Sequence, residues 1–426
     1  MEYIKKETPA YNLHFIKTDK FKKIKIKINF KEVATKEKIV YRNLLSLILL
    51  EATKKYNTKR LLDIECENLY NIGVGFNTFM SGNYHVLSLS TNFLNEKYTE
   101  EGMNEKSLKF FFDFIFDPNV SNNEFFKQTF DNAKNILKED IESYDDNPGN
   151  FAFSRLYANM FPNSPLSYRG CGYIEDLETI TVSNLYEYYK ELIKKDVIDI
   201  FIIGDININN ITKIISDNFD VNTIKNTNIS HFIEQKEFKK SPVTIKEKKN
   251  INQSILILAA KIKDVTDFER MYVLSVYNYI LGGSPDSKLF KDVREKNSLC
   301  YYITSSHSGI ASLELINSGI DYKNYEKVLK ITKQKMKEMS LGNFTEEDIE
   351  HAKINSKAAL KEIEDNESTI LALYEAHEYL GYDLLEDRNI KIDKVTKEDV
   401  INITKKIKLD TIFLLEGSKR NEKEED

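Results

Sequence analysis

The sequence predicts an α+β protein made of two homologous halves, and three observations lead to this fold class. Residues 22–30 alternate isoleucine or phenylalanine with polar residues, which is the period of a strand with one wet face. Amphipathic helices follow this strand along the chain. A helix-then-strand unit near the middle of the chain recurs near its end.

The first predicted strand carries Lys23, Lys25 and Lys27 on its polar face. These lysines form either a basic patch or an outer face that discourages pairing at a sheet edge. A second strand is predicted over residues 85–93. Between the strands, residues 42–56 predict a buried helix, and a more polar helix lies around residues 58–70.

Two further amphipathic helices are predicted. The first covers residues 107–116 and ends before Pro118, because proline cannot continue a helix. The second covers residues 124–144 and carries one face of residues at steps of three and four. That face consists of Phe126, Phe130, Ala133, Leu137, Asp140 and Tyr144. Asp140 is a carboxylate where the pattern calls for an apolar side chain.

The internal repeat relates residues 180–205 to residues 395–417. In each copy a threonine, Thr181 or Thr396, precedes a helix that has a basic end and is followed by an apolar strand. Residues 221–250 are polar and read as a linker. We therefore predict an N-terminal half at 1–220, a linker at 221–250 and a C-terminal half at 251–426.

The charge balance argues against a nucleic-acid partner. Lysine and arginine total 61 and aspartate plus glutamate total 67, which gives a formal net charge of −6. A surface with both signs mixed has no general attraction to a phosphate backbone. The hydrophobic fraction of 41% is enough for a real core and excludes a disordered chain.

The sequence also predicts a cytoplasmic protein with no membrane partner. Cys66, Cys171 and Cys300 are too scattered for a disulfide framework and are interpreted as free thiols in a reducing cytosol. The first residues lack the apolar core of a signal peptide. The longest apolar run, at 44–50, is far shorter than the ~20 residues that span a bilayer.

Three segments together resemble the pitrilysin/insulinase family of inverted-motif zinc peptidases, in its short two-half, processing-peptidase-like form. They are ILKEDIESYDDNP at 136–148, PLSYRGCGYIEDLETITVSNLYEYY at 165–189 and LGGSPDSKLFKDVREKNSLCYY at 281–302. The resemblance covers most of the chain. It implies that each half is a mostly antiparallel sheet packed with helices.

The same resemblance implies that the zinc site has been lost. Active family members carry His-x-x-Glu-His, in which two histidines one helical turn apart bind zinc and the glutamate is the general base. The three positions fall here on Asn43, Ser46 and Leu47, and the third ligand falls on Asp140. Asparagine is a poor zinc ligand, leucine has no donor atom and serine supplies no carboxylate base. Asp140 is alternatively an ordinary acid at a helix end. We expect no metal or cofactor in this chain.

The second half retains the pair that reaches toward the substrate in the family. Arg294 and Tyr301 have the family's spacing of seven residues, and both side chains donate well to a peptide carbonyl or an oxyanion. A surface arginine beside a core tyrosine is the structural alternative. Gly282 and Gly283 would let a peptide approach closely, or they cap a helix.

Three functions remain open at this point. The first is a non-catalytic subunit of a heterodimeric peptidase, inactive alone, whose homologous zinc-bearing partner cleaves a peptide substrate. The second is a stand-alone peptide-binding or scaffold protein. The third is a hydrolase that holds another metal with the acidic run from Glu139 to Asp146, which reads more simply as a solvated helix end.

Overall fold

The computed structural model describes residues 1–219 and 229–417 and confirms the predicted α+β class. The strands are β1 Glu2–Glu7, β2 Asn12–Lys17, β3 Lys23–Val33, β4 Gly73–Ser81, β5 Tyr84–Leu94, β6 Val120–Ser121, β7 Glu124–Phe125, β8 Val197–Gly204, β9 Val243–Lys249, β10 Ser254–Ile262, β11 Cys300–Ser308, β12 Leu313–Ile320 and β13 Ile407–Gly417. The α-helices are α1 Ile39–Glu51, α2 Lys59–Asn68, α3 Met103–Phe116, α4 Lys127–Ser143, α5 Pro148–Met160, α6 Ile174–Glu178, α7 Val182–Lys195, α8 Ile208–Asn218, α9 Leu274–Asn278, α10 Tyr325–Ser340, α11 Glu346–Ile363, α12 Glu367–Leu380, α13 Leu385–Ile392 and α14 Lys397–Lys406. None of these helices is long and apolar enough to cross a bilayer.

The chain divides into two compact units. The first unit comprises Met1–Tyr144 and Tyr168–Ile229, and the second comprises Asp145–Ser167 and Ser230–Asp426. Two segments depart from the predicted boundaries. Residues 145–167, predicted in the first half, belong to the second unit, and the predicted linker at 221–250 contains the strand β9. Its residues 221–228 lie outside the described part of the chain.

The first unit is built on a six-stranded sheet in the order β1-β2-β8-β3-β5-β4. All neighbouring strands are antiparallel except β2 and β8, which run parallel. The apolar residues of β3 are fully buried against the helices on one face of the sheet, as the alternation predicts. These residues are Ile24, Ile26, Ile28 and Phe30.

The opposite face of β3 corrects one interpretation. Because β3 lies between β5 and β8, its lysines do not guard a sheet edge. Lys31, further along that face, is buried and its Nζ lies 2.8 Å from a carboxylate oxygen of Asp199 on β8. His14 on β2 contacts the same carboxylate at 3.3 Å. These hydrogen bonds and the lysine charge lower the pKa of Asp199 in spite of its burial.

The second unit contains a five-stranded sheet in the order β11-β12-β10-β13-β9, antiparallel except for β13 and β9. Both faces of this sheet are apolar and buried. Helix α5 covers one face with Ala152, Leu156 and Met160. A sheet that is apolar on both faces needs helices on both, which explains why this short helix belongs to the second unit.

The internal repeat is confirmed at the level of local structure. Thr181 and Thr396 each cap a helix, and each forms a reciprocal capping box with the residue three positions later. The helices α7 and α14 then lead directly into β8 and β13, which are interior strands of their sheets.

Candidate functional site

The degenerate zinc-motif positions lie on α1 in the first unit. The Asn43 side chain is 6% exposed, and its Nδ2 donates to the carbonyl oxygen of Gly170 at 2.8 Å. Its Oδ1 accepts a hydrogen bond from the Thr78 hydroxyl on β4 at 2.5 Å. Both ends of the amide are therefore engaged in joining α1 to the sheet and to a loop.

Ser46 and Leu47 are also used within the first unit. The Ser46 hydroxyl donates to the carbonyl oxygen of Asn43 at 2.7 Å, in the preceding turn of the same helix. Leu47 packs against the apolar core of the unit. An amide with both ends bonded, a hydroxyl and an isobutyl group do not fit a zinc ion.

The α1 helix is held by a buried ion pair next to Asn43. Arg42 is fully buried, donates to the carbonyl oxygen of Phe30 at 2.9 Å and lies 2.5 Å from a carboxylate oxygen of Asp196. Glu32 contacts the same guanidinium at 3.3 Å. Burial raises the pKa of Asp196 to about 6 even though Arg42 lowers it. This network fixes the helix on which the motif positions lie.

The structure corrects the predicted place of Asp140. The buried stripe of α4 consists of Phe130, Ala133, Leu137 and Ile141, whereas Asp140 is exposed. Residues 140 and 141 both lie at a helical step from Leu137, and the apolar Ile141 is the one that packs in the core while Asp140 stays in solvent.

No metal cluster involves the acidic run. Across residues 1–219 and 229–417, no group of three or more histidine, cysteine, aspartate or glutamate side chains is placed to hold a metal ion. The Glu139, Asp140 and Glu142 side chains are exposed on the last turns of α4. Their arrangement is that of an ordinary solvated helix end.

Tyr301 lies in the second unit, on the strand at the edge of the sheet. β11 pairs with β12 alone, and its register shifts between Cys300 and Tyr302. Tyr301 is the extra residue of this β-bulge and is 69% exposed. The ring of Tyr302 packs closely over Gly319 of β12, so the two neighbouring tyrosines point to different surroundings.

Arg294 is exposed on the π-helical segment Phe290–Glu295, just before β11. Its guanidinium carbon lies 4.8 Å from the centroid of the Phe290 ring, which is a cation–π contact. Burial raises the pKa of the Cys300 thiol to about 11, while the nearby charge of Arg294 lowers it. Cys300 is therefore a neutral thiol rather than a nucleophilic thiolate.

The two glycines serve the packing of the second unit. A Cβ atom on Gly282 would lie 2.8 Å from the Ser305 hydroxyl and 2.9 Å from its backbone nitrogen, so Gly282 allows the helical segment to contact β11. Both glycines lie inside the helical segment Tyr279–Gly283, whose C-cap is Ser284, so neither glycine is itself the predicted cap. A Cβ atom on Gly283 would meet Asn278 at 2.6 Å.

Sequence reasoning missed the partners of these residues. Thr78 and Gly170 are distant from Asn43 along the chain, and nothing in their local sequence identifies them as its partners. The bulge at Tyr301 was also missed. Adjacent tyrosines fit a regular strand equally well, and the extra residue shows only in the pairing of β11 with β12.

Comparisons with known proteins place this chain. Residues 179–356 match a family profile described as "Peptidase M16 inactive domain". A Bacillus subtilis protein named probable inactive metalloprotease YmfF is 29% identical over 430 residues, which cover 97% of this chain and 98% of YmfF. The chain is an M16-like peptidase homologue. This confirms the predicted resemblance to the pitrilysin/insulinase family.

Two further proteins resemble this chain, one over nearly its whole length and the other over about half of it. A crystal structure of a conserved protein from Enterococcus faecalis has a TM-score of 0.91 and 27% sequence identity, covering 99% of this chain and 100% of that one. Another B. subtilis protein, described as the uncharacterized zinc protease YmxG, is 28% identical over 55% of this chain and 58% of its own length. B. subtilis thus encodes both a relative named inactive and one named a zinc protease.

Proposed function

We propose that this M16-like homologue is the non-catalytic subunit of a heterodimeric zinc peptidase. Its role would be to bind the peptide substrate, while a homologous partner supplies the zinc ion and the general base. The observation that carries the proposal is Tyr301, 69% exposed at the bulge of an edge strand and seven residues after the exposed Arg294. An exposed tyrosine at a bulge is available to a ligand in a way that a core tyrosine is not.

The chemistry of the two side chains suits a peptide backbone. A guanidinium and a phenol both donate hydrogen bonds, and a peptide carbonyl becomes more negative as its bond is cleaved. Arg294 forms a cation–π contact with Phe290 that orients its side chain without consuming its N–H donors. Both residues can therefore stabilise a developing oxyanion.

The chemistry of α1 supports the need for a partner. Asn43, Ser46 and Leu47 are committed to hydrogen bonds or packing within the first unit and do not fit a zinc ion. The coexistence of YmfF and YmxG in one bacterium provides a precedent for a zinc-bearing homologue beside an inactive one. Bond cleavage in this proposal belongs to the partner.

An unfolded peptide is the substrate class that fits the exposed strand edges. Among the described strands, β4 and β11 each lie at a sheet edge with one hydrogen-bonded neighbour, so each offers a row of backbone groups to an extended peptide. Strand addition reads backbone groups and tolerates varied sequences. We place this activity in the cytoplasm, as the sequence predicts.

A stand-alone peptide-binding or scaffold protein is the second candidate. It is favoured by the structural use of Asn43, whose bonds make α1 part of the frame of the first unit rather than a recently emptied site. The genome offers a direct discriminator. A neighbouring gene for a similar-length chain with His-x-x-Glu-His favours the heterodimer, and an isolated gene favours the scaffold.

The decisive experiment for the proposal is a quenched-peptide assay of the chain purified with its zinc-bearing homologue. Arg294→Ala and Tyr301→Phe are expected to lower turnover by roughly 10- to 100-fold, because each removes one donor to the oxyanion. Assembly measured by size-exclusion chromatography should not change. Arg60→Ala, which removes an exposed arginine on α2, is the matched control.

Unchanged turnover in both variants would refute the role of Arg294 and Tyr301. The heterodimer would be refuted if no His-x-x-Glu-His homologue binds this chain, or if none gains activity when mixed with it.

A further inference from the structure

A cavity of about 370 Å³ lies within the second unit, at the end of β11 opposite Tyr301. Its walls come from the segment Glu269–Val273, the end of β11, the end of α12 and the helix α13. The volume is in the range of small-molecule sites. Tyr301 precedes His307, the first β11 residue that lines the cavity, by six residues. At 3.3 Å per residue the two are roughly 20 Å apart. The cavity is therefore separate from the proposed peptide site and independent of that proposal.

The charges lining this cavity have one sign. Arg270 and Arg388 both line it, and no described lining residue is an aspartate or a glutamate. Arg270 is 4% exposed, and its guanidinium lies 2.5 Å from Glu234 and 3.0 Å from the Ser312 hydroxyl. Its Nε has no hydrogen-bond partner in the described part of the chain. Glu234 balances the charge of Arg270, and the Gly309 carbonyl oxygen also accepts from its guanidinium, so Arg270 anchors the wall of the cavity.

Of the two arginines that line the cavity, Arg388 is the one whose terminal N–H groups are available to a ligand. Its Nε donates to the backbone carbonyl of Asp383 at 2.5 Å, while its two terminal nitrogens have no acceptor among residues 1–219 and 229–417. The Asp383 carboxylate is already bound by Lys391 and by the Tyr272 hydroxyl, each at 2.6 Å. Burial lowers the pKa of Arg388, which indicates that its charge is under-compensated within the protein.

His307 supplies a second donor from the edge strand. Its ring makes no hydrogen bond with the described residues, and burial lowers its pKa to about 4. The imidazole is therefore neutral at physiological pH and carries one N–H donor. A ring without a partner on a cavity wall is available to a ligand.

The remaining lining is apolar. Met271, Ile310 and Leu380 contribute aliphatic surface, and the ring of Tyr382 lies 5.9 Å from the guanidinium of Arg388. A guanidinium fork binds carboxylate or phosphate oxygens in a planar, bidentate manner. An apolar wall beside such a fork suits a ligand with one anionic end and an apolar body.

We propose that this cavity binds a small organic anion, whose carboxylate or phosphate group is held by the Arg388 fork and the His307 ring. The apolar body of the ligand packs on Met271, Ile310 and Leu380.

The test is calorimetric titration of the full chain with benzoate, phenyl phosphate and the neutral benzyl alcohol. We expect saturable binding of at least one anion and none of benzyl alcohol, and the two anions distinguish a carboxylate from a phosphate preference. Arg388→Gln should weaken binding at least about tenfold, because a charge-assisted hydrogen bond is lost. His307→Leu, a second variant of similar volume, should weaken it severalfold.

Lys394→Met is the matched control, since it removes one exposed positive charge from the same unit and should leave binding unchanged. Circular dichroism confirms that each variant is folded. The proposal would be overturned if neither anion binds saturably, or if benzyl alcohol binds as well as the anions. Wild-type affinity in both Arg388→Gln and His307→Leu would overturn it too.

Discussion

At the residue scale, Asn43, which the family resemblance predicts to stand at a zinc-ligand position, is hydrogen-bonded into the frame of the first unit. Its amide joins three segments, because Nδ2 reaches Gly170 and Oδ1 accepts from Thr78 on β4. A side chain without an amide at this position would leave the Gly170 carbonyl and the Thr78 hydroxyl without these partners. Asn43 therefore contributes to the stability of α1.

Asn43→Ala should lower the free energy of unfolding by about 1–3 kcal/mol, since it leaves a buried carbonyl and a hydroxyl without partners. Urea denaturation followed by circular dichroism measures this change. Ser46→Ala is the control, with an expected change well below 1 kcal/mol, because the Ser46 hydroxyl bonds a carbonyl of its own helix. Equal midpoints for Asn43→Ala and the wild-type chain would argue against a structural role for Asn43.

His85 is a second buried residue whose chemistry sets a pH dependence. It is 2% exposed on β5, and neither ring nitrogen has a hydrogen-bond partner in the described residues. Burial, together with the charge of Arg42, lowers its pKa to about 3. The folded protein thus keeps His85 neutral at a pH where the unfolded chain, with a histidine pKa of about 6.5, is protonated.

Because the unfolded state binds the extra proton, stability is lost as the pH falls below about 6.5 and continues to fall toward pH 3. Between pH 7.5 and pH 5, His85 should account for a loss of about 2 kcal/mol. His85→Phe should remove that part of the pH dependence in urea denaturation at the two pH values. His351→Gln, which changes an exposed histidine on α11, should keep the wild-type difference. A pH dependence that His85→Phe leaves intact would contradict this assignment.

The sequence predicted the helix on which these residues lie, but it did not predict the residues that they contact. The prediction that Asn43, Ser46 and Leu47 lie on one helix is confirmed, and their correspondence to the family motif stays a prediction. The exposure of Asp140 could not be predicted, since tertiary packing chose Ile141 for the buried face of α4. The partners of Asn43 come from β4 and a distant loop, and contacts across such separations leave no trace in the local pattern.

At the scale of elements, the sequence predicts strands with regular alternation and helices with a capping residue. It does not predict which strands pair in a sheet. β3 and both threonine-capped helices follow from local alternation and capping chemistry. The position of β3 between two strands and the bulge at Tyr301 depend on which strands become neighbours. Long-range pairing is decided by the whole sheet, so the lysines of β3 were wrongly interpreted as edge protection.

Helix α5 gives the element-scale prediction. Leu156 is fully buried against the sheet of the second unit, so Leu156→Ala should destabilise that unit by about 2–5 kcal/mol. Limited proteolysis with mass spectrometry should then show new cleavage sites within 145–167 and 230–417. Asn159→Ala, an exposed change on the same helix, should leave the cleavage pattern as in the wild type. New sites confined to 1–144 and 168–229 would contradict the assignment of α5 to the second unit.

At the scale of the whole molecule, the repeat predicted two related α+β units, and each unit is built on its own sheet. The repeat could not show that residues 145–167 would join the second unit. That assignment follows from the apolar face of the second sheet that α5 covers, formed by residues such as Ile257, Leu313 and Phe413. A helix attaches where apolar surface needs covering, and chain order does not decide this.

The central claim is that this M16-like homologue has no peptidase activity of its own and contributes substrate binding to a zinc-bearing partner. The most direct measurement compares quenched-peptide cleavage by the purified chain alone, by the zinc-bearing homologue alone and by the mixture, with zinc added and again with a chelator. Our account predicts no cleavage by the chain alone under either condition, and chelator-sensitive cleavage by the mixture that exceeds cleavage by the homologue alone. The account would be contradicted if the chain alone shows chelator-sensitive cleavage and that activity co-purifies with it through two independent purification steps.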